Sequence, residues 1–209
     1  MHILTDKLWF PPVERALPDG LLAFGGDLSV ARLTLAYQHG IFPWFSEGEP
    51  IIWYSPDPRM VLFLDELKVS KSMRQVLRNN DYHISFNQDF KQVIEVCKRI
   101  PRKGQQGTWI TEDMTAAYIE MHNIGRAQSV EVWRGDTLVG GLYGIDMGRV
   151  FCGESMFSLE SNTSKIALIS LTNYLMERNY KLIDCQIYNK HLASLGAREI
   201  PRKEFLKYL

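Results

Sequence analysis

The sequence holds few cysteines, Cys97, Cys152 and Cys185, in an odd number and without CxxC spacing. That excludes a disulfide framework and a thiolate zinc site, and it leaves reduced thiols. No apolar run reaches the roughly 18 residues that a membrane-crossing helix needs, so no membrane association is expected. The N-terminal MHILTDKLWFPP lacks a cationic stretch followed by an apolar one, and it lacks a small-residue cleavage site. No secretory signal is therefore expected, and the cytoplasm is the expected compartment. Net charge is missing as well: 24 basic residues balance 24 acidic ones. Any nucleic-acid partner must then be held by local patches rather than a global field. Repeats and low-complexity segments are absent. At 45% hydrophobic and 23% charged residues, the chain has the composition of a globular protein with a buried core.

What is present divides in two. Residues 1–62 are rich in proline, glycine and aromatics, with one helix over Val30 to Gln38, capped by Ser29 and ended by Gly40. The segment GIFPWFSEGEPIIWYSPDP sets Phe42, Trp44, Phe45, Trp53 and Tyr54 among four prolines, too irregular for a regular element. It is either a small aromatic core or a platform on which bases stack. From Arg59 a regular mixture follows. MVLFL, YHISFN, SVEVWRG, TLVGGLYGID, RVFCGESMF and LIDCQIY read as strands. SKSMRQVLRN, DFKQVIEVCKRI, TEDMTAAYIEMHNIG and NTSKIALISLTNYLMERNY read as helices, the third capped by Thr111 and ended by Gly125. The expected fold class is α+β: a small N-terminal α/β domain over 1–62, then a domain over 63–209 with a mixed central sheet. Three basic clusters occur: Lys71, Arg74 and Arg78 on one helix face; Lys98, Arg99, Arg102 and Lys103; and Arg198, Arg202, Lys203 and Lys207. Each is either a solvated face or part of a surface for a phosphate backbone.

Two stretches carry chemistry. KLIDCQIYNKHLASLGA reads as strand, tight turn and short helix. Strand residues at i and i+2 share a face about 6.6 Å apart. Asp184 and Gln186 thus point one way, and Ile183, Cys185 and Ile187 the other. The two polar residues are either the outer face of an edge strand or a working pair, and Cys185 is expected in the core rather than as a nucleophile. In VFCGESMF, Glu154 sits in an apolar strand beside Gly153. A buried carboxylate needs partners, and glycine in a strand marks a bulge or a close approach.

The strings GLLAFGGDLS, GIFPWF, WYSPDPRMVL, GTWIT, VGGLYG, FCGESMFS, NTSK, LIDCQIYNKHLASLGA and IPR, in this order, resemble the leucyl/phenylalanyl-tRNA protein transferase family from about Asp6 onward. The order βααβββαβαβ resembles the Gcn5-related N-acetyltransferase fold. The family resemblance implies transfer of Leu or Phe, less readily Met, from aminoacyl-tRNA to proteins beginning with Lys or Arg. It implies no cofactor and no metal, because ester aminolysis is downhill. By the same resemblance Asp184 and Gln186 are the catalytic pair, and Glu154 holds the aminoacyl end or the incoming amine. Leu142, Phe151, Gly153, Met156, Leu168, Leu171, Leu175 and Ile183 would line the aminoacyl pocket. Trp44 and Trp109, with Tyr37 and Tyr118, would meet the terminal adenosine, and Lys71, Arg74 and Arg78 the tRNA backbone. Asn189, His191 and Ser194 fall in the matching motif.

Leu142 stands where the family pattern has methionine, and Leu171 and Leu175 where it has phenylalanine, which implies a roomier pocket. Strand alternation puts Phe151 and Met156 on opposite faces, so both line one pocket only if the strand bulges near Gly153. The chain ends at Tyr208-Leu209, where family members carry a further tail, so any part that tail plays would fall to another element. A monomer is expected, and Asp184→Ala is expected to lower turnover by orders of magnitude with folding intact.

Two other classes compete. An acyl-CoA-dependent N-acetyltransferase needs a glycine-rich turn before the helix that follows the meander, and SMFSLESNTSK has no glycine. An RNA-binding module explains the basic and aromatic residues but leaves Asp184, Gln186 and Glu154 without a purpose.

Overall fold

The structure, a computed structural model, describes residues 2–78, 81–101 and 108–209. The expected cluster members Arg102 and Lys103 lie outside the described residues. In chain order the elements are β1 (His2–Leu4), β2 (Leu21–Gly25), α1 (Val30–Gln38), β3 (Phe42–Pro43), β4 (Ile52–Tyr54) and β5 (Arg59–Phe63). Then come α2 (Lys71–Arg78), β6 (Tyr82–Phe86), α3 (Phe90–Arg99), α4 (Glu112–Asn123), β7 (Ala127–Arg134), β8 (Thr137–Asp146) and β9 (Val150–Ser158). Last are α5 (Thr163–Glu177), β10 (Leu182–Gln186), α6 (Lys190–Ser194), β11 (Arg198–Ile200) and α7 (Arg202–Phe205). The fold class is α+β.

The helices start where short polar side chains can take up orphan amides. Ser29 Oγ accepts from Arg32 N, Asp89 Oδ1 from Gln92 N, and Thr111 Oγ1 from Met114 N. Asn189 Oδ1 accepts from both His191 N and Leu192 N, which fixes the start of α6. Gly40 and Gly125 follow their helices at φ of 68° and 76°, a region glycine enters without steric cost.

A small sheet runs in the order β1-β2-β4-β3, and a large one in the order β11-β5-β10-β9-β8-β7-β6. The aromatic segment is more regular than its prolines imply, because β3 and β4 pair antiparallel through Phe42↔Tyr54 and Pro43↔Trp53. The expected division after residue 62 falls inside β5, a full member of the large sheet between β11 and β10. That sheet is mixed: β9 and β10 are parallel, and the other neighbours antiparallel.

Alternation along the strands sends side chains to two cores. Leu182 and Val150 enter one with α1, α3 and α4, while Ile183 and Phe151 enter another with α5. Met156 lies in the α5 core and Phe157 in the other, so the parity of β9 reverses after Phe151. The register explains it: Gly144 faces Gly153 and Tyr143 faces Ser155, leaving Glu154 as the extra residue. The bulge expected near Gly153 is there, and it re-aims Glu154.

Candidate active site

The parallel pairing of β9 and β10 covers only Leu182↔Val150, Ile183↔Phe151 and Asp184↔Cys152. Beyond it β9 follows β8, while β10 follows β5 through its own register shift between Asp184 and Gln186. Gln186 sits at a φ of 64°, so the strand ends there. The expected continuation through Tyr188 does not form, and Ile187 and Tyr188 are exposed. Two parallel strands that part at their C-terminal ends leave a gap through the sheet.

A cavity of about 540 Å³ fills that gap. On the α5 side its wall is apolar: Leu142, Phe151, Gly153, Met156, Leu168, Leu171 and Ile183. On the other side it meets Trp44, Trp109, Tyr143, Glu154 and Gln186, with Asn189 and His191 of the following turn. Of the expected pocket residues only Leu175 is away from the wall, one turn of α5 beyond Leu171 and packed in the core. Cys185 packs against the α5 core, as expected, and also borders the cavity, and burial pushes its thiol up so that it stays protonated.

The aromatic segment divides between core and cavity. Phe42, Phe45 and Trp53 are buried as a small core, whereas Trp44 leans on Tyr54 at 5.6 Å and faces the cavity. Tyr37 and Tyr118 correct an expectation. Both are buried, so neither ring offers a stacking face, and both hydroxyls turn to Glu154. Tyr37 donates to Oε1 at 2.7 Å and Tyr118 to Oε2 at 3.1 Å, while Gln186 Nε2 donates to Oε1 at 2.8 Å. Burial, with Asp184 nearby, pushes the Glu154 carboxyl up to about 7 against those hydrogen bonds.

Asp184 and Gln186 stay adjacent, as the spacing implies, since Gln186 N donates to Asp184 Oδ1 at 2.9 Å. The carboxylate, however, serves another partner. Arg59 grips it with Nε to Oδ1 at 2.8 Å and Nη2 to Oδ2 at 2.7 Å, in a fully buried pair. Its third nitrogen, Nη1, donates to Gly40 O at 3.0 Å. The guanidinium lies 4.8 Å from the ring centres of both Phe42 and Phe205. Arg59 thus joins the end of α1, the small sheet and α7 to the end of β10. Sequence reasoning missed it. The signal was available, because an arginine opening the apolar strand RMVLF needs a partner as much as Glu154 does.

Lys71, Arg74 and Arg78 are exposed along α2, and among the described residues no ion pair engages them. Members of the other basic clusters are engaged locally: Lys98 with Glu112, Arg99 with Glu95 and Arg198 with Glu66.

A cavity that joins an aromatic, polar mouth to an apolar pocket through a parted sheet fits a substrate with a planar group on one side and a hydrophobic one on the other. Comparison with known sequences decides which. The profile described as leucyl/phenylalanyl-tRNA protein transferase matches residues 61–209, and that of the family's N-terminal domain matches residues 26–57. The chain belongs to the leucyl/phenylalanyl-tRNA protein transferase family. A leucyl/phenylalanyl-tRNA--protein transferase of Flavobacterium psychrophilum is 60% identical over 209 residues, covering 100% of this chain and 99% of that protein. One from Syntrophus aciditrophicus is 57% identical over 202 residues, covering 97% of this chain and 84% of that protein. A solved GCN5-related N-acetyltransferase from Kribbella flavida aligns with 79% of this chain and 59% of its own, at 9% identity and a TM-score of 0.38. Within the transferase family this chain is an aminoacyltransferase by kinship, and its two profiles meet near the start of β5. Among the described residues no helix is long and apolar enough to cross a membrane.

Proposed function

We propose that this protein transfers leucine or phenylalanine, less readily methionine, from the 3'-ester of aminoacyl-tRNA to the α-amine of proteins beginning with lysine or arginine. It would act as a cytoplasmic monomer, with a small unit ending before Arg59 and a transferase unit from there on. The observation that carries the reading is the cavity's passage through the sheet between β9 and β10. The aminoacyl side chain enters the apolar wall, the terminal adenine stays at the mouth between Trp44 and Trp109, and the ester lies between, beside Glu154 and Gln186.

Ester aminolysis is downhill, so the protein must position a neutral amine against the carbonyl and manage one proton. Gln186 spends its amide N–H on Glu154, which leaves its carbonyl to accept from the attacking amine. Asp184 holds Gln186 through its backbone amide. Lys71, Arg74 and Arg78, exposed along α2 and, among the described residues, in no ion pair, would meet phosphates at a distance from the chemistry.

The acetyl-CoA alternative lacks support at the start of α5. There Ser158 Oγ already accepts from Ser164 N at 2.9 Å, so that amide is not free for a pyrophosphate. Label transfer from leucyl-tRNA to an Arg-initiated peptide, with acetyl-CoA as donor in a parallel reaction, tests the assignment. Transfer from tRNA alone supports it, and acetylation alone overturns it.

Two variants test the placement. Trp44→Ala should weaken aminoacyl-tRNA binding by about 1 to 3 kcal/mol, the scale of one base stack, read as a raised KM with little change in kcat. An unchanged KM would remove Trp44 from the adenosine. Leu171→Phe narrows the apolar wall and should lower kcat/KM for phenylalanine relative to leucine by about tenfold, the low end of the scale for one methylene. An unaltered ratio would take Leu171 off the specificity wall.

A further inference from the structure

The family assignment leaves open which group handles the proton, and the geometry narrows it. Asp184 is engaged on both oxygens. Its Oδ1 takes Arg59 Nε and Gln186 N, its Oδ2 takes Arg59 Nη2, and its side chain has no exposed surface. Protonating it would break a buried ion pair. Glu154 is placed otherwise, as the bulged residue at the point where β9 and β10 part, on the cavity wall.

Three hydrogen-bond contacts among the Glu154 carboxyl and two hydroxyls close a ring. Tyr37 Oη lies 2.7 Å from Glu154 Oε1, Tyr118 Oη lies 3.1 Å from Glu154 Oε2, and the two hydroxyl oxygens are 2.5 Å apart. Three contacts of this kind need three hydrogens, and the tyrosines own two. With Glu154 ionised, one contact brings two lone pairs together. With Glu154 protonated, the carboxyl donates to Tyr118, Tyr118 to Tyr37, and Tyr37 back to the carboxyl, so every contact is filled and each bond polarises the next. The ring is shaped to hold one proton more than an ionised glutamate brings.

Resting on the transferase reading, we propose that Glu154 is the catalytic residue that takes the proton from the attacking amine and returns it to the departing oxygen, with Tyr37 and Tyr118 as positioning residues and Asp184 outside the transfer. The amine nitrogen bonds to the ester carbon, and the carbonyl electrons move to its oxygen. The resulting ammonium gives a proton to the Glu154 carboxylate. When the intermediate collapses, the bond from carbon to the ribose 3'-oxygen breaks and that oxygen takes the proton from Glu154, leaving an amide, a free hydroxyl and the carboxylate restored. A group poised near neutrality can do both halves.

The titratable and charged groups facing Glu154 are Tyr37 from α1, Tyr118 from α4, Cys152 from β9, Asp184 from β10 and Arg59 from β5. Burial pushes both tyrosines and the Cys152 thiol up, so they hold their protons at neutral pH. His191, also on the cavity wall, is the competing base, and burial with Lys165 nearby lowers its imidazole.

The test is the single-turnover rate of leucine transfer from leucyl-tRNA to an Arg-initiated peptide between about pH 5.5 and 8.5, for wild type, Glu154→Gln and His191→Gln. The acceptor amine titrates near about 7.7 to 8.0. Wild type should therefore rise with two inflections, and Glu154→Gln should be slower by about 10² to 10⁴-fold with only the amine inflection left. His191→Gln should keep both. Infrared difference spectra of the substrate-free protein should show a protonated carboxyl band that titrates near the lower inflection and is missing from Glu154→Gln. Both inflections retained in Glu154→Gln at a rate within tenfold of wild type would overturn the proposal, as would their loss in His191→Gln. A wild type that transfers nothing while its carboxyl band titrates as described would instead fault the transferase reading.

Discussion

Replacing Arg59 by methionine is expected to lower the unfolding free energy by about 3 to 5 kcal/mol, because it leaves the Asp184 carboxylate buried without its cation. The same argument applies from the other side. Asp184→Ala strands a guanidinium that is 1% exposed, held otherwise only by Gly40 O and the rings of Phe42 and Phe205. Asp184→Ala is therefore expected to destabilise the fold as well, so its turnover is to be read beside its measured stability. Urea unfolding at pH 7 checks both variants. The double change Arg59→Met with Asp184→Leu should recover most of the loss, since an apolar pair of similar volume avoids the desolvation of two charges. A single change costing less than about 1 kcal/mol would mean that the pair is wetter than its burial implies.

Glu154→Gln should stabilise the protein at pH 8 while slowing its transfer by orders of magnitude. The Glu154 carboxyl is raised from an ordinary value of 4.5 to about 7. Below 4.5 it is protonated in both folded and unfolded chains, and the favourable neutral form is fully present. Between 4.5 and about 7 the unfolded chain loses its proton first, so stability falls as pH rises, by about 3 kcal/mol in all. Glutamine cannot ionise and is free of that loss. Unfolding free energies at pH 5 and pH 8 should therefore diverge for wild type by that amount more than for Glu154→Gln. Equal pH dependence in the two would show that the carboxyl is not raised. A residue kept where it destabilises the fold at working pH is the pattern expected of a functional group.

The parts of this protein that a local rule controls were legible from the sequence alone. Ser29 and Thr111 cap their helices because a short polar side chain three residues before an amide can reach it in any context. The meander and its two turns follow from alternation and glycine placement. Even the bulge at Glu154 was available, since Phe151 and Met156 could share a wall only if the parity of β9 reversed. The motif order was sufficient for the family, and the family resemblance implied most of the apolar wall.

Tertiary structure decided what depends on partners distant in sequence. The Arg59–Asp184 pair spans 125 positions, and no periodicity reports it. It places the carboxylate expected in the catalytic pair inside a buried ion pair. Tyr37 and Tyr118, 81 positions apart, became donors to one carboxylate rather than stacking faces, because α1 and α4 pack their hydroxyls together beneath β9. Leu175 left the pocket for the core because α5 carries it one turn past the wall. Caps, turns and alternation act over a few residues, where chain geometry is fixed by the backbone. Which charges meet, and where two parallel strands part to make a cavity, is settled only when segments far apart in the chain compete for the same interior.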